Sequence, residues 1–196
     1  MPITIDGTGT ITGATTLAST VASPTFTTPA LGIPASGTLT NCTGLPVAGG
    51  GTGLTALGPA FSAYLSANQS FSSATWTKVQ CNTEEFDTNS NYDPTTNYRF
   101  TPTVAGYYQV QAFSEISYGA GAPTTRGVSI YKNGASFKQL TESGSNAYSG
   151  TPVVALMLMN GSSDYIEMYA YSNASTPVAI GDAAKTFFQA SLARPA

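Results

Sequence analysis

Histidine is absent from this 196-residue chain, and charge is scarce, with 7 basic and 10 acidic residues. The first absence removes the one side chain that ordinarily titrates near neutral pH, and with it the commonest general base, proton shuttle and imidazole metal ligand. Ser-His-acid triads go with it. The second leaves a net charge of −3 and no basic stripe, so nucleic acid is not an expected partner. Cysteine is almost missing too. Cys42 and Cys81 lie far apart with neither CxxC nor metal-site spacing, which predicts two unpaired thiols rather than a disulfide framework. The longest apolar run, Val153–Met159, has only the length of a strand, against about 20 residues for a membrane-spanning helix, so no membrane insertion is expected. The opening Met1-Pro2-Ile3-Thr4-Ile5-Asp6-Gly7 has neither the basic nor the apolar part of a signal peptide, which fits assembly in a cytoplasm. Without such a signal, the glycosylation sequons at Asn41, Asn68, Asn160 and Asn173 read as chance in a Thr/Ser-rich chain.

What is present is unevenly placed. Asp6 is the sole charged residue before Gly58, and the single Trp and all 11 Tyr lie after it. The division predicts two regions, a thin stalk or anchor over residues 1–58 and a compact β head over residues 59–196, long enough for one core.

In the first region, Ile3-Thr4-Ile5 and Thr10-Ile11-Thr12 are short β-branched alternations between glycines, and isolated apolar residues follow among Thr, Pro and Gly without a helical period. A single copy cannot bury enough surface to offset about 1–2 kcal/mol per residue of backbone ordering. Low charge and abundant Thr, Ile and Val favour extended β structure wound with two sister chains over disorder. Ile3, Ile5 and Ile11 are the candidate anchor residues. The glycine run at 49–53 is followed by Leu54, without the Lys-Ser/Thr of a phosphate loop or a helix to receive a dinucleotide, and reads as a hinge. The stretch Leu31-Gly32-Ile33-Pro34-Ala35-Ser36-Gly37-Thr38-Leu39-Thr40-Asn41-Cys42, continuing as Thr43-Gly44-Leu45-Pro46-Val47-Ala48 into that run, resembles linkers of bacteriophage tail-fibre and other virion proteins.

In the second region, strands are predicted at 60–65, 75–81, 107–116, 127–131, 153–159, 166–171 and 186–192, with turn chemistry such as Lys132-Asn133-Gly134 and Asn160-Gly161-Ser162 between them. The spacing indicates an all-β antiparallel sandwich or jelly roll. After Gly106, Tyr108, Val110 and Ala112 form one face, and Tyr107, Gln109 and Gln111 the other. Val153–Met159 is apolar on both faces, which requires cover by the second sheet on one side and a neighbouring subunit on the other. The expected subunit contact therefore comprises Tyr107, Gln109, Val153, Ala155, Met157 and Met159.

The succession Ala60-Phe61-Ser62-Ala63, Phe86-Asp87, Tyr92-Asp93, Phe100-Thr101-Pro102, Ala105-Gly106-Tyr107-Tyr108, Tyr131-Lys132-Asn133-Gly134 and Phe188-Gln189-Ala190-Ser191-Leu192 resembles the complement C-one-q globular-head family, which shares its jelly roll with tumour necrosis factor. Val110 and Ala112 stand where that family has aromatics, and Cys81 where it has Phe. The resemblance implies closed homotrimers, the symmetry the stalk also demands.

Candidate chemistry is sparse. Asp87-Thr88-Asn89-Ser90-Asn91 alternates oxygen ligands like a calcium loop, but Tyr92 occupies the Gly position and Tyr98 the Glu position, which predicts an Asx-capped turn. Glu84, Glu85 and Asp87 could be imagined as a glycosidase pair, yet clustered loop acids are ordinarily just solvated. No metal, cofactor or enzymatic activity is expected. The tyrosines at 118, 131, 148, 165, 169 and 171 offer recognition area, and Tyr118 and Tyr148, beside small-residue loops, are the candidate receptor contacts. The expected function is that of a homotrimeric phage virion fibre, anchored by its N-terminus to other virion proteins and binding a host surface protein or glycan through its head. The alternative is a capsid decoration protein or head fibre of purely structural role. Deleting residues 1–58 is predicted to leave a folded trimeric head, by circular dichroism and sedimentation, that no longer attaches to virions. Loss of the β signal would place the boundary elsewhere.

Overall fold

The computed structural model describes residues 58–118, 123–144, 148–150 and 152–196. The anchor candidates Ile3, Ile5 and Ile11, the glycine run and Cys42 lie outside them. The described residues form strands and turns with no helix: β1 Ala60–Tyr64, β2 Gln69–Ser70, β3 Thr77–Lys78, β4 Thr83–Asp87, β5 Tyr92–Asp93, β6 Arg99–Phe100, β7 Gly106–Tyr118, β8 Thr125–Lys132, β9 Ala135–Ser143, β10 Tyr148–Gly150, β11 Val153–Met159, β12 Ile166–Ser172, β13 Pro177–Ala179 and β14 Thr186–Pro195. Every pairing among them is antiparallel. One sheet runs β2-β13-β7-β14-β1-β4, with β11 and β10 on the far edge of β7; the other runs β5-β6-β12-β8-β9, with β3 also against β12.

Two long strands set this arrangement. On β7, Tyr108, Val110, Ala112, Ser114 and Ile116 are buried and their neighbours are not, the period-two pattern of a half-buried strand. On β12, Ile166, Met168 and Ala170 face inward in the same way. Between the sheets, Phe61 lies stacked against both Tyr92 (4.6 Å) and Phe100 (4.5 Å) and meets Phe188 edge-on at 5.2 Å. Phe100 in turn meets Tyr108 edge-on at 5.8 Å. The two phenols bury their rings and satisfy their hydroxyls locally: Tyr92 donates to the Cys81 carbonyl and Tyr108 to the Val104 carbonyl, each at 2.8 Å.

The turns follow the residues present. Asn133 and Gly134 both adopt positive φ between β8 and β9, the two-residue hairpin that suits strand twist. Between β11 and β12, Asn160 Oδ1 accepts from the backbone amides of Ser162, Ser163 and Asp164, and Gly161 has a φ of 70° where a Cβ would clash with the Val104–Ala105 backbone.

Several strands differ from expectation. The stretch 75–81 is strand only at Thr77–Lys78, because β12 is shared there with β6. The long β9 is an addition to the expected strands: it is an edge strand whose residues are nearly all exposed, so no alternation of burial is written into it. Val153–Met159 is a strand as expected, but with a defined inside. Val153, Ala155, Met157 and Met159 are at most 5% exposed within a single chain, packed in the sandwich, and have no surface left for a neighbour. The opposite parity, Val154, Leu156 and Leu158, faces outward.

Candidate functional site

The outward face of the first sheet carries the most unusual surface among the described residues. Val154, Leu156 and Leu158 are 55%, 60% and 49% exposed in a row along β11. Register places Leu158 opposite Tyr107, Leu156 opposite Gln109 and Val154 opposite Gln111 on β7. Across β7, Gln109 and Gln111 then face Ser191 and Gln189 of β14. An aliphatic strip therefore runs beside a glutamine strip, in which Gln189 Nε2 donates to Gln111 Oε1 at 2.7 Å. A shallow hollow beyond it is lined by Gln109, Gln111, Gln189, Ser191 and the half-exposed Phe86. Of the expected contact residues, Tyr107 and Gln109 lie on this face; the four on β11 do not. The strand itself is legible in the sequence, but its parity is not, because both of its faces are apolar.

The receptor candidates come together at one end of the same sheet. Tyr118 ends β7, half-buried and opposite Pro177, while Tyr148 opens β10 opposite Ser117. Residues 119–122 and 145–147 and the Tyr148 side chain lie outside the described residues. Of the residues flanking these stretches, Thr125 pairs with Ser143. Of the remaining tyrosines, 131, 169 and 171 lie on the second sheet, and 165 lies in the turn just before β12.

Glu84, Glu85 and Asp87, expected in a loop, lie on β4, and of the three Asp87 caps backbone amides. Asp87 accepts from the Asn89 amide at 3.1 Å and the Tyr92 amide at 2.7 Å, one per carboxylate oxygen, as an Asx-capped turn does. Glu85 accepts from Ser62 Oγ at 2.7 Å. Burial, with the nearby Asp87 charge, pushes the Glu84 carboxyl above its ordinary range. Among the described residues no three His, Cys, Asp or Glu side chains gather as a cation site. Asp93 receives the amides of Thr96, Thr95 and Asn97 and the Asn97 side-chain nitrogen, and these donors hold it well below the usual carboxylate range. Asp164 is held low by the Asn133 side-chain amide and by Lys132 at 2.9 Å. The Cys81 thiol is unpaired and pushed up to about 12 by burial, which makes it inert.

With this geometry, solved structures of similar fold were found. Murine APRIL superposes with a TM-score of 0.53 at 13% identity, covering 69% of this chain and 98% of its own. Eiger TNF from S. frugiperda gives 0.50 at 11%, covering 71% and 94%. The PRD1 vertex protein P5 gives 0.52 at 10%, covering 70% and 98%. The fold is a TNF-like jelly roll. At such identities the likeness is one of fold alone. No family model and no curated protein sequence matches the chain.

The caps make the head acid-sensitive in a defined direction. Because the folded pKa of Asp93 is lowered, its contribution to stability is complete above its unfolded value of about 4 and is lost as pH falls toward the folded value. Asp93→Asn should therefore be less stable at pH 7 and lose less on acidification below about pH 4. Urea midpoints across that window measure both; parallel pH profiles for the two proteins would show that the caps do not matter.

Proposed function

We propose that the chain is a virion fibre subunit, a homotrimer whose N-terminal segment docks on other virion proteins through Ile3, Ile5 and Ile11 and whose head meets the host surface. The observation that carries this reading is the outward row Val154, Leu156 and Leu158. Three large aliphatic side chains about half exposed side by side form a patch that a monomer gains nothing from leaving wet, and such patches mark protein contacts. The aliphatic strip and the adjoining glutamine strip are unlike surfaces. A contact that sets the strip of one copy against a different part of the next is heterologous; a rotation of one third of a turn per copy closes it into a ring, and three copies also satisfy the stalk composition. Tyr107 and Gln109 belong to this contact. A jelly-roll likeness to a vertex protein of PRD1 supports a place on a particle, with assembly in the host cytoplasm. The head acts by binding rather than by catalysis: Asp87 and Asp93 are engaged as backbone caps, and the chain has no histidine.

Leu156→Glu would bury an unpaired charge at each of the three contacts, at a cost of about 3–5 kcal/mol apiece, and should yield monomers by sedimentation with the β signature intact. Met157→Ala, one residue away but inward, should instead lower fold stability by about 2–5 kcal/mol. A Leu156→Glu protein that sediments like the wild type would remove this face from the contact.

The same reading puts receptor contact on the loops at 119–125 and 143–149. Particles carrying Tyr118→Ala with Tyr148→Ala should incorporate the protein normally and adsorb poorly, since an anchoring aromatic contributes about 2 kcal/mol or more. Normal adsorption would clear these loops, and normal adsorption of particles lacking the whole head would favour the decoration role.

A further inference from the structure

The outward face of the second sheet is built unlike the first. With Ile166, Met168 and Ala170 inward on β12, the alternate residues Glu167, Tyr169 and Tyr171 point out, and register places them opposite Tyr131, Ser129 and Gly127 of β8. Tyr131 and Tyr169 stack diagonally across the two strands, ring centroids 3.9 Å apart. Trp76 leans on Tyr171 at 5.3 Å and reaches over Gly127, where even a Cβ would come within 3.0 Å of its ring. Glycine at that position thus makes room for the Leu140 carbonyl and Thr141 methyl of β9 as well as for the indole. Farther along, Arg99 lies 4.5 Å above the Tyr165 ring.

The face is polar and aromatic, and it is nearly neutral. Lys78 pairs with Glu167 at 2.5 Å, and Arg99 is held against a ring. No Leu, Ile, Val or Met points outward from β8 or β12, so the apolar centre typical of a protein–protein contact is missing from these two strands. Nor do their described residues gather a cluster of unpaired cations to hold a polyanion. What remains is a set of ring surfaces with hydroxyls at their rims, held by one another in fixed positions. That is the complement of a pyranose: its axial C–H bonds carry partial positive charge and pack on the electron-rich ring face, while its hydroxyls meet the phenols.

We propose that this face binds a neutral saccharide, ring against ring, across Trp76, Tyr171, Tyr169 and Tyr131. The proposal needs neither the virion nor the trimeric contact, and it concerns a surface separate from the loops of Tyr118 and Tyr148. Trp76 is the only tryptophan in the chain, so intrinsic fluorescence reports on the face directly. The purified full-length protein is titrated with glucose, galactose and mannose hexasaccharides and, separately, with a galacturonate hexasaccharide. A saturable change in Trp76 emission with at least one neutral oligosaccharide is expected, weakened about tenfold or more in Tyr169→Ala and Tyr171→Ala and unchanged in Tyr118→Ala. Acrylamide quenching of the wild-type protein provides a reading that depends on no variant: bound saccharide should shield Trp76. Absence of a saturable response to all three neutral oligosaccharides at millimolar concentration would overturn the proposal. So would a response to the uronate alone, wild-type affinity in the alanine variants, or saccharide binding that leaves Trp76 as quenchable as before.

Discussion

The packing of Phe61 between Tyr92 and Phe100 is the contact on which the rest of the head depends. Those three rings, with Phe188 and Tyr108 at their edges, come from β1, β5, β6, β14 and β7, and so tie the two sheets together across the interior. Each buried aromatic contributes about 1.5–3 kcal/mol from burial alone, and the ring pairs add about 0.5–1.5 kcal/mol each. The cluster also aligns the strands that matter for function. Once Phe61 and Phe188 are fixed, β1 and β14 pair from Ala60 opposite Ser191 to Tyr64 opposite Phe187, and β14 in turn fixes β7.

From that register the two outer faces follow as consequences of alternation. A one-residue slip of β11 against β7 would carry Val153, Ala155, Met157 and Met159 outward and Val154, Leu156 and Leu158 inward. Neither set is polar, so the strand's own composition does not choose between them. The choice is made by Tyr108, Val110 and Ala112, which must face the core and whose cross-strand partners are the odd-numbered residues of β11. The result is an aliphatic strip on one outer face and, on the opposite face of the sandwich, an aromatic surface on which Lys78 pairs with Glu167 and Arg99 lies over Tyr165. A single fold thus presents two surfaces of different chemistry, one suited to another copy of the chain and one to a polar ligand.

Much of this is legible in the order of the residues. The absence of histidine and the low charge remove whole classes of chemistry, the turn residues at Asn133-Gly134 and Asn160-Gly161 mark real turns, and the residues around Phe100, Gly106 and Tyr108 resemble those of a jelly-roll family. The inward set on β7 is readable because its alternate positions differ in polarity. The edge strand β9 is not readable, because a strand exposed on both faces has no period to read. The tyrosine cluster is visible as composition only: Tyr131 and Tyr169 are 38 positions apart, and nothing local announces that they stack.

By itself, then, the sequence determined the class of the head and the inward face of β7, since hydrophobic alternation and turn chemistry are local properties carried by neighbouring residues. The tertiary structure alone decided which side of β11 is buried and which tyrosines share a face. Each of these depends on long-range pairing, and a period of two in the side chains leaves the direction of a face undefined until its partner strand is in place.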